Sequence, residues 1–183
     1  YSTIFQYYNF HFFPDDIFPY TTLPKNDKIF NILNSDFVKL KLTIPSTEII
    51  VKESMFKSFL SIKEITIPSS IVSIKKSAFQ GCLSLTSLNF SDDSKLSSIG
   101  SLSFSDCESL VDLKIPPKVE FIDVSAFKGC SALRSVYFPS SIQSIGSFAF
   151  QRCSSLEIVV FEEKSKLKSI GSHAFNGCNK LKN

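Results

Sequence analysis

An α/β repeat solenoid is the fold class predicted by this chain of 183 residues, on three observations. The phrase Ala-Phe-x-x-Cys-x-x-Leu recurs, and its Phe (Phe56, Phe79, Phe104, Phe127, Phe150, Phe175) falls 23 or 25 residues after the last. Val51, Ile74, Ile99, Ile122, Ile145 and Ile170 each open a unit that repeats the same apolar positions. Within a unit the apolar spacing changes from helical to alternating. Such copies bury their apolar faces only by stacking on one another.

From the N-terminus, residues 1–22 carry nine aromatics: Tyr1, Phe5, Tyr7, Tyr8, Phe10, Phe12, Phe13, Phe18 and Tyr20. Residues 1–28 are therefore expected to form an aromatic-rich cap over the open end or a divergent segment, the alternative being an exposed aromatic patch. Leu42, Ile44 and Pro45 sit 23 residues before Ile65, Ile67 and Pro68, so 29–50 reads as a degenerate repeat. Residues 51–183 are repeats of 23 or 25 residues, a period that belongs to leucine-rich repeats.

The copy from Ile122 to Ile145 stands for the others. Ala126, Phe127, Cys130 and Leu133 have helical spacing and predict a short helical turn. Val136 and Phe138 then switch to period two, which predicts a strand. Pro139 follows, as Pro45, Pro68 and Pro116 do in their copies, and a ring without N–H stops the strand. Two copies are longer by two residues, at Ser91-Asp92-Asp93-Ser94-Lys95 and Glu162-Glu163-Lys164-Ser165-Lys166, and both lack the Pro. Polar insertions of this kind map to loops at the coil's edge and are expected to leave the stacked apolar ladder undisturbed. The last copy is truncated: the chain begins without Met and ends at Asn183 with no polar cap, which reads as part of something longer.

Nineteen phenylalanines and no tryptophan predict a Phe-rich core. The net charge of +3 comes from interspersed residues, which gives no footprint for nucleic acid. No run of about 18 apolar residues is present, so this segment carries no membrane span, and no signal peptide is recognisable. Cys82, Cys107, Cys130, Cys153 and Cys178 occupy one repeat position, where the first copy has Phe59. Side chains at equivalent positions of stacked coils point the same way rather than at each other, which favours buried free thiols over disulfides. No C-x₂-C pair suggests zinc, and no cofactor is implied.

The phrases Ser-Ala-Phe-Gln-Gly-Cys-Leu-Ser-Leu, Ile-Asp-Val-Ser-Ala-Phe-Lys-Gly-Cys-Ser-Ala-Leu and Ile-Gly-Ser-His-Ala-Phe-Asn-Gly-Cys-Asn-Lys-Leu resemble the BspA-like, or treponemal-type, leucine-rich repeat family. The likeness covers residues 51–183, with Met55 for Ala, Phe59 for Cys and Leu102-Ser103 for Ser-Ala as core-phase departures. It implies a right-handed superhelix with a parallel strand ladder on its concave side and short helical turns on the convex side. It further implies a surface or secreted protein of a bacterium or parasitic protist, tied to adhesion and to binding host or extracellular-matrix proteins. It carries over no catalytic residues.

On that reading the outward strand positions are Lys41 and Thr43, Glu64 and Thr66, Ser87 and Asn89, Asp112 and Lys114, Ser135 and Tyr137, and Ile158 and Val160. They vary while their neighbours repeat, either because solvent faces drift freely or because about six rungs, roughly 25–30 Å long, form a protein-binding face. The candidate binding residues are Glu64, Asn89, Asp112, Lys114, Tyr137, Ile158 and Val160, with Tyr137, Ile158 and Val160 as apolar anchor. Asn89-Phe90-Ser91 is also an N-glycosylation sequon, a short pattern that arises often by chance.

Enzyme motifs are missing: there is no Gly-x-Ser-x-Gly elbow, phosphate loop or recurring carboxylate pair, and His173 fills a position held elsewhere by Ser77, Leu102, Ser125 and Phe148. The expected function is a non-enzymatic protein-binding module of adhesin type. An intracellular, cytoplasmic scaffold is the alternative, and a spacer projecting a binding domain elsewhere is a third.

Overall fold

The computed structural model describes residues 40–44 and 46–182. The expectations for segment 1–28, residues 29–39 and Pro45 fall outside these. The chain winds as a parallel β-solenoid of about six turns, each contributing one longer and one two-residue strand. The longer strands are β1 (Leu40–Thr43), β3 (Ile62–Ile67), β5 (Ser87–Phe90), β7 (Asp112–Lys114), β9 (Ser135–Phe138) and β11 (Ile158–Phe161). The short ones are β2 (Ile50–Val51), β4 (Ser73–Ile74), β6 (Ser98–Ile99), β8 (Phe121–Ile122), β10 (Ser144–Ile145) and β12 (Ser169–Ile170). The short strands form one unbroken six-stranded ladder, whereas the longer strands form two sheets, β1-β3-β5 and β7-β9-β11. Leu42 pairs with Ile65, which pairs with Leu88, so the 23-residue offset read from sequence is the physical register.

The core is a set of columns, each made by one repeat position. Phe56, Phe79, Phe104, Phe127, Phe150 and Phe175 stack nearly parallel with centroids 5.1–5.3 Å apart. That spacing lies just above the 4.7–4.9 Å between hydrogen-bonded strands, so one coil repeat satisfies backbone and rings together. Beside it run buried columns of Ala78, Ala126 and Ala149, of Leu85, Leu110, Leu133 and Leu156, and of Ile74, Ile99, Ile122 and Ile145. Phe138 adds a second stack, 4.8 Å from Phe161, and meets Phe150 edge-on.

The expected short helical turns are not there: no helix occurs among the described residues. In the copy at Ile122 every second N–H closes a three-residue turn, Ala126 to Asp123 O, Lys128 to Ser125 O and Cys130 to Phe127 O. The N–H groups between them donate instead to the next coil, Ser125 to Ser147 O, Phe127 to Ala149 O and Gly129 to Gln151 O, at 2.8–2.9 Å. An α-helix needs each N–H for its own carbonyl four residues back, so this sharing excludes one. Two left-handed residues per copy produce the geometry, Ser125 (φ 57) and Gly129 (φ 77) here, Leu102 and Asp106 or Phe148 and Arg152 elsewhere. The spacing of Ala126, Phe127, Cys130 and Leu133 matches a helix because the successive turns also bring those positions inward.

The polar insertions lie in turns, as expected, with Asp92 and Asp93 exposed. In both, a serine hydroxyl accepts from the backbone two residues on, Leu96 N to Ser94 Oγ and Leu167 N to Ser165 Oγ. Their non-proline residues also keep a rung that the prolines delete, Ser91 N to Ile67 O and Glu162 N to Phe138 O. Phe79 and Phe104 remain stacked across the first insertion, so the apolar ladder does continue there. The longer-strand backbone ladder does not, since β5 and β7 are unpaired.

Two stability predictions follow from the columns. Phe127→Ala removes a ring stacked on both sides and is expected to cost about 3–5 kcal/mol in denaturant unfolding. Ser103 stands in the Ala column with a buried hydroxyl that has no partner. Ser103→Ala is expected to stabilise by about 1 kcal/mol, and a lowered Tm would contradict that accounting.

Candidate functional site

Strand pairing sets the outward side chains of the longer strands in two columns. One passes from Lys41 to Glu64 to Ser87, and again from Asp112 to Ser135 to Ile158. The other passes from Thr43 to Thr66 to Asn89, and from Lys114 to Tyr137 to Val160. Alternation along a strand forces this arrangement, because the residues between (Ile65, Leu88, Leu113, Val136) are the buried ones.

The two sheets differ in chemistry. On β1-β3-β5 the polar groups satisfy one another: Lys41 Nζ lies 3.1 Å from Glu64 Oε1, and Asn89 Nδ2 donates to the same oxygen at 3.1 Å. Ser87 Oγ in turn donates to Asn89 Oδ1 at 3.3 Å. On β7-β9-β11, Ser135 Oγ donates to Asp112 Oδ1 at 2.5 Å, and the other outward residues are Lys114, Tyr137, Ile158 and Val160. Tyr137, Ile158 and Val160 are 44%, 49% and 40% exposed and adjoin one another, with Lys114 on the next rung. A Glu157–Lys180 ion pair at 3.6 Å flanks them. The seven candidates thus divide: Glu64 and Asn89 on one sheet, Asp112, Lys114, Tyr137, Ile158 and Val160 on the other.

Sequence reasoning passed over a second apolar spot. Phe121 is exposed on the short-strand ladder where four other copies place Ser73, Ser98, Ser144 and Ser169 and the first places Ile50, and Val124 is exposed three residues on. A Phe in a serine column was a readable signal.

The thiols form a column of their own. All five are free and buried, and each donates to the carbonyl of the preceding coil's phenylalanine, from Cys82 Sγ to Phe56 O at 3.2 Å through Cys178 Sγ to Phe150 O at 3.2 Å. That carbonyl already accepts a backbone N–H in its own coil, so the thiol takes its second lone pair. Burial pushes the Cys82 thiol from its ordinary 9.0 up to about 12 and raises Cys107 and Cys130 as well. These are packing groups rather than nucleophiles. Among the described residues no cluster of His, Cys, Asp and Glu could hold a metal, and no helix is long and apolar enough to cross a membrane. His173 is exposed and stacks on Phe148 at 5.3 Å.

Stacked parallel coils with a repeated apolar signature and a variable strand face define a leucine-rich-repeat-type solenoid, a fold class of repeat modules that bind other proteins. The family model described as the BspA type leucine rich repeat region, six copies, matches residues 31–157 and 93–183. The chain belongs to that family. Solved structures similar to it include a leucine rich cell surface protein of Faecalibacterium prausnitzii, at 25% identity and TM-score 0.65, over 78% of this chain and 46% of that one. A leucine-rich repeat protein of Bacteroides ovatus matches at 29% identity and TM-score 0.64, over 79% and 45%. The leucine rich repeat protein of T. pallidum matches at 25% identity and TM-score 0.55, over 79% of each chain. The chain thus spans under half the length of the first and second of these. Comparison with curated proteins finds no match.

A pH dependence follows from the thiol column. The folded-state value lies above the unfolded one, so the stability held by protonated, buried thiols is complete below about pH 9 and is lost as pH rises toward 12. Each buried thiol then costs about 1.4 kcal/mol per pH unit, and a steep fall of Tm above pH 9 is expected. At pH 8 the folded protein should resist iodoacetamide while the unfolded chain takes up five equivalents.

Proposed function

We propose that this chain is a non-enzymatic adhesin-type module of a cell-surface or secreted protein, which binds host or matrix proteins through its longer-strand face. The carrying observation is the apolar cluster of Tyr137, Ile158 and Val160, exposed on register-paired strands of a face that is otherwise polar. An aromatic beside two β-branched aliphatics at a charged rim has hot-spot composition. The similar F. prausnitzii protein is described as a cell surface protein, which supports the localisation.

A magnitude limits what this face does alone. Six rungs at strand spacing and about four residues of width give roughly 350 Å², against about 800 Å² per partner in a standard interface. The contact therefore extends onto flanking rows, where Arg134 and Glu157 are exposed. Asp112 and Lys114 supply the polar rim beside the anchor, and Glu64 and Asn89 continue it on the other sheet. A glycan on Asn89, which is exposed within its sequon, would cover the polar sheet and leave the anchor two rungs away, about 10 Å on.

The test is binding of the labelled protein to host cells and extracellular-matrix proteins, wild type against a Tyr137→Ala, Val160→Asp double variant shown by circular dichroism to be folded. The expected result is saturable binding by wild type and at least about a tenfold weaker Kd in the variant. Equal binding by both proteins would move the site off this face, and no binding by wild type would remove the adhesin reading.

A further inference from the structure

One coil junction differs from the rest. Between the coil of β5 and the coil of β7 the short ladder is intact, with Ser73 paired to Ser98 and Ile74 to Ile99. The turn bonds are intact too: Ser77 N, Phe79 N and Gly81 N donate to Ser101, Ser103 and Ser105 carbonyls at 2.9, 2.7 and 2.8 Å. Phe79 stacks on Phe104 at 5.1 Å, and Cys107 Sγ reaches Phe79 O. On the longer-strand side, from Leu83 to Leu96 against Glu108 to Val119, no backbone hydrogen bond joins the two coils. Elsewhere each pair of successive longer strands is hydrogen-bonded.

The packing bears the mark of this opening. Leu88 is 8% exposed in a column where Ile65, Leu113 and Val136 are at 0%. Phe90 is half-buried in mid-solenoid, although Ile67, Ile115 and Phe138 at the same position are buried. Two sequence features converge here. The insertion Ser91–Lys95 makes this coil wider than the one that sits on it, and Pro116 has no N–H for the rung that Ser91 and Glu162 make in their copies. Proline by itself does not open the ladder, since Pro68 and Pro139 follow strands that stay paired with their neighbours.

We infer that the seam between β5 and β7 is a built-in flexure of the solenoid, hinged on the short-strand ladder and the turn bonds and opening toward the longer-strand face. The pairs β1-β3, β3-β5, β7-β9 and β9-β11 are hydrogen-bonded along the longer strands and stay closed. Opening changes the separation of Glu64 and Asn89 from Lys114 and Tyr137, so the face is two plates of adjustable angle rather than one rigid surface. The inference stands on the backbone alone and does not require the proposed adhesin role.

Hydrogen exchange followed by mass spectrometry on the intact chain tests it. Amides of 86–90 and 111–115 are expected to exchange at least tenfold faster than those of 63–67 and 135–138, while 73–74, 98–99 and 77–81 stay protected. Deleting Asp92 and Asp93, which restores a 23-residue copy, is expected to slow exchange at 86–90 by a similar factor and leave 63–67 unchanged. Uniform protection across the longer strands would overturn the flexure. Rapid exchange throughout 73–119 would overturn it as well, because that pattern is local unfolding and not a hinge.

Discussion

The spacing between coils governs this molecule. Once one coil lies about 5 Å from the next, everything that repeats must fit that step: strands paired edge to edge, phenyl rings in offset stacks, turn N–H groups that reach the neighbouring carbonyl. The rings at 5.1–5.3 Å and the turn bonds at 2.6–3.0 Å are two expressions of the same step. A residue too large or too polar for its column is felt by the coils above and below, so columns hold one residue type almost throughout. The alternation of Ser58, Gly81, Asp106, Gly129, Arg152 and Gly177 shows the limit. Where a side chain lies over the next coil at a left-handed position, the next residue is Gly: a Cβ on Gly129 would run into Asp106 Oδ1.

Side chains that point away from the columns escape this restriction, and they carry the individuality of the chain. The longer-strand face changes from mutually bonded polar rungs on β1-β3-β5 to an apolar cluster on β7-β9-β11. A polar rung whose members bond one another has little left to offer a partner, whereas Tyr137, Ile158 and Val160 have no competing bond to break. Apolar surface on an otherwise self-satisfied face is therefore where association gains most from leaving water.

The same step has one failure, at the junction where a wider coil meets a narrower one. Two extra residues in one turn do not push the coils apart everywhere, because the Phe stack and the turn bonds hold one side. The mismatch appears as an open seam on the opposite side instead.

Much was legible in the chain itself. The period, the inward and outward parity of the strands, the turn insertions and the buried thiols follow from residue types at fixed offsets, since a stacked repeat converts sequence offset directly into register. The helical turns expected at Ala126 to Leu133 were misread, because apolar spacing records which residues face inward and not where each N–H is spent; here half of them bond across coils. The exposure of Phe121 could have been read from the serines around it. The division of the candidate face into two sheets could not, for neither Pro116 nor the Ser91–Lys95 insertion opens a ladder by its own local chemistry. What the sequence alone determined was the repeat and its columns. Only the tertiary structure decided which junctions close, because inter-coil hydrogen bonds depend on the width of two coils at once.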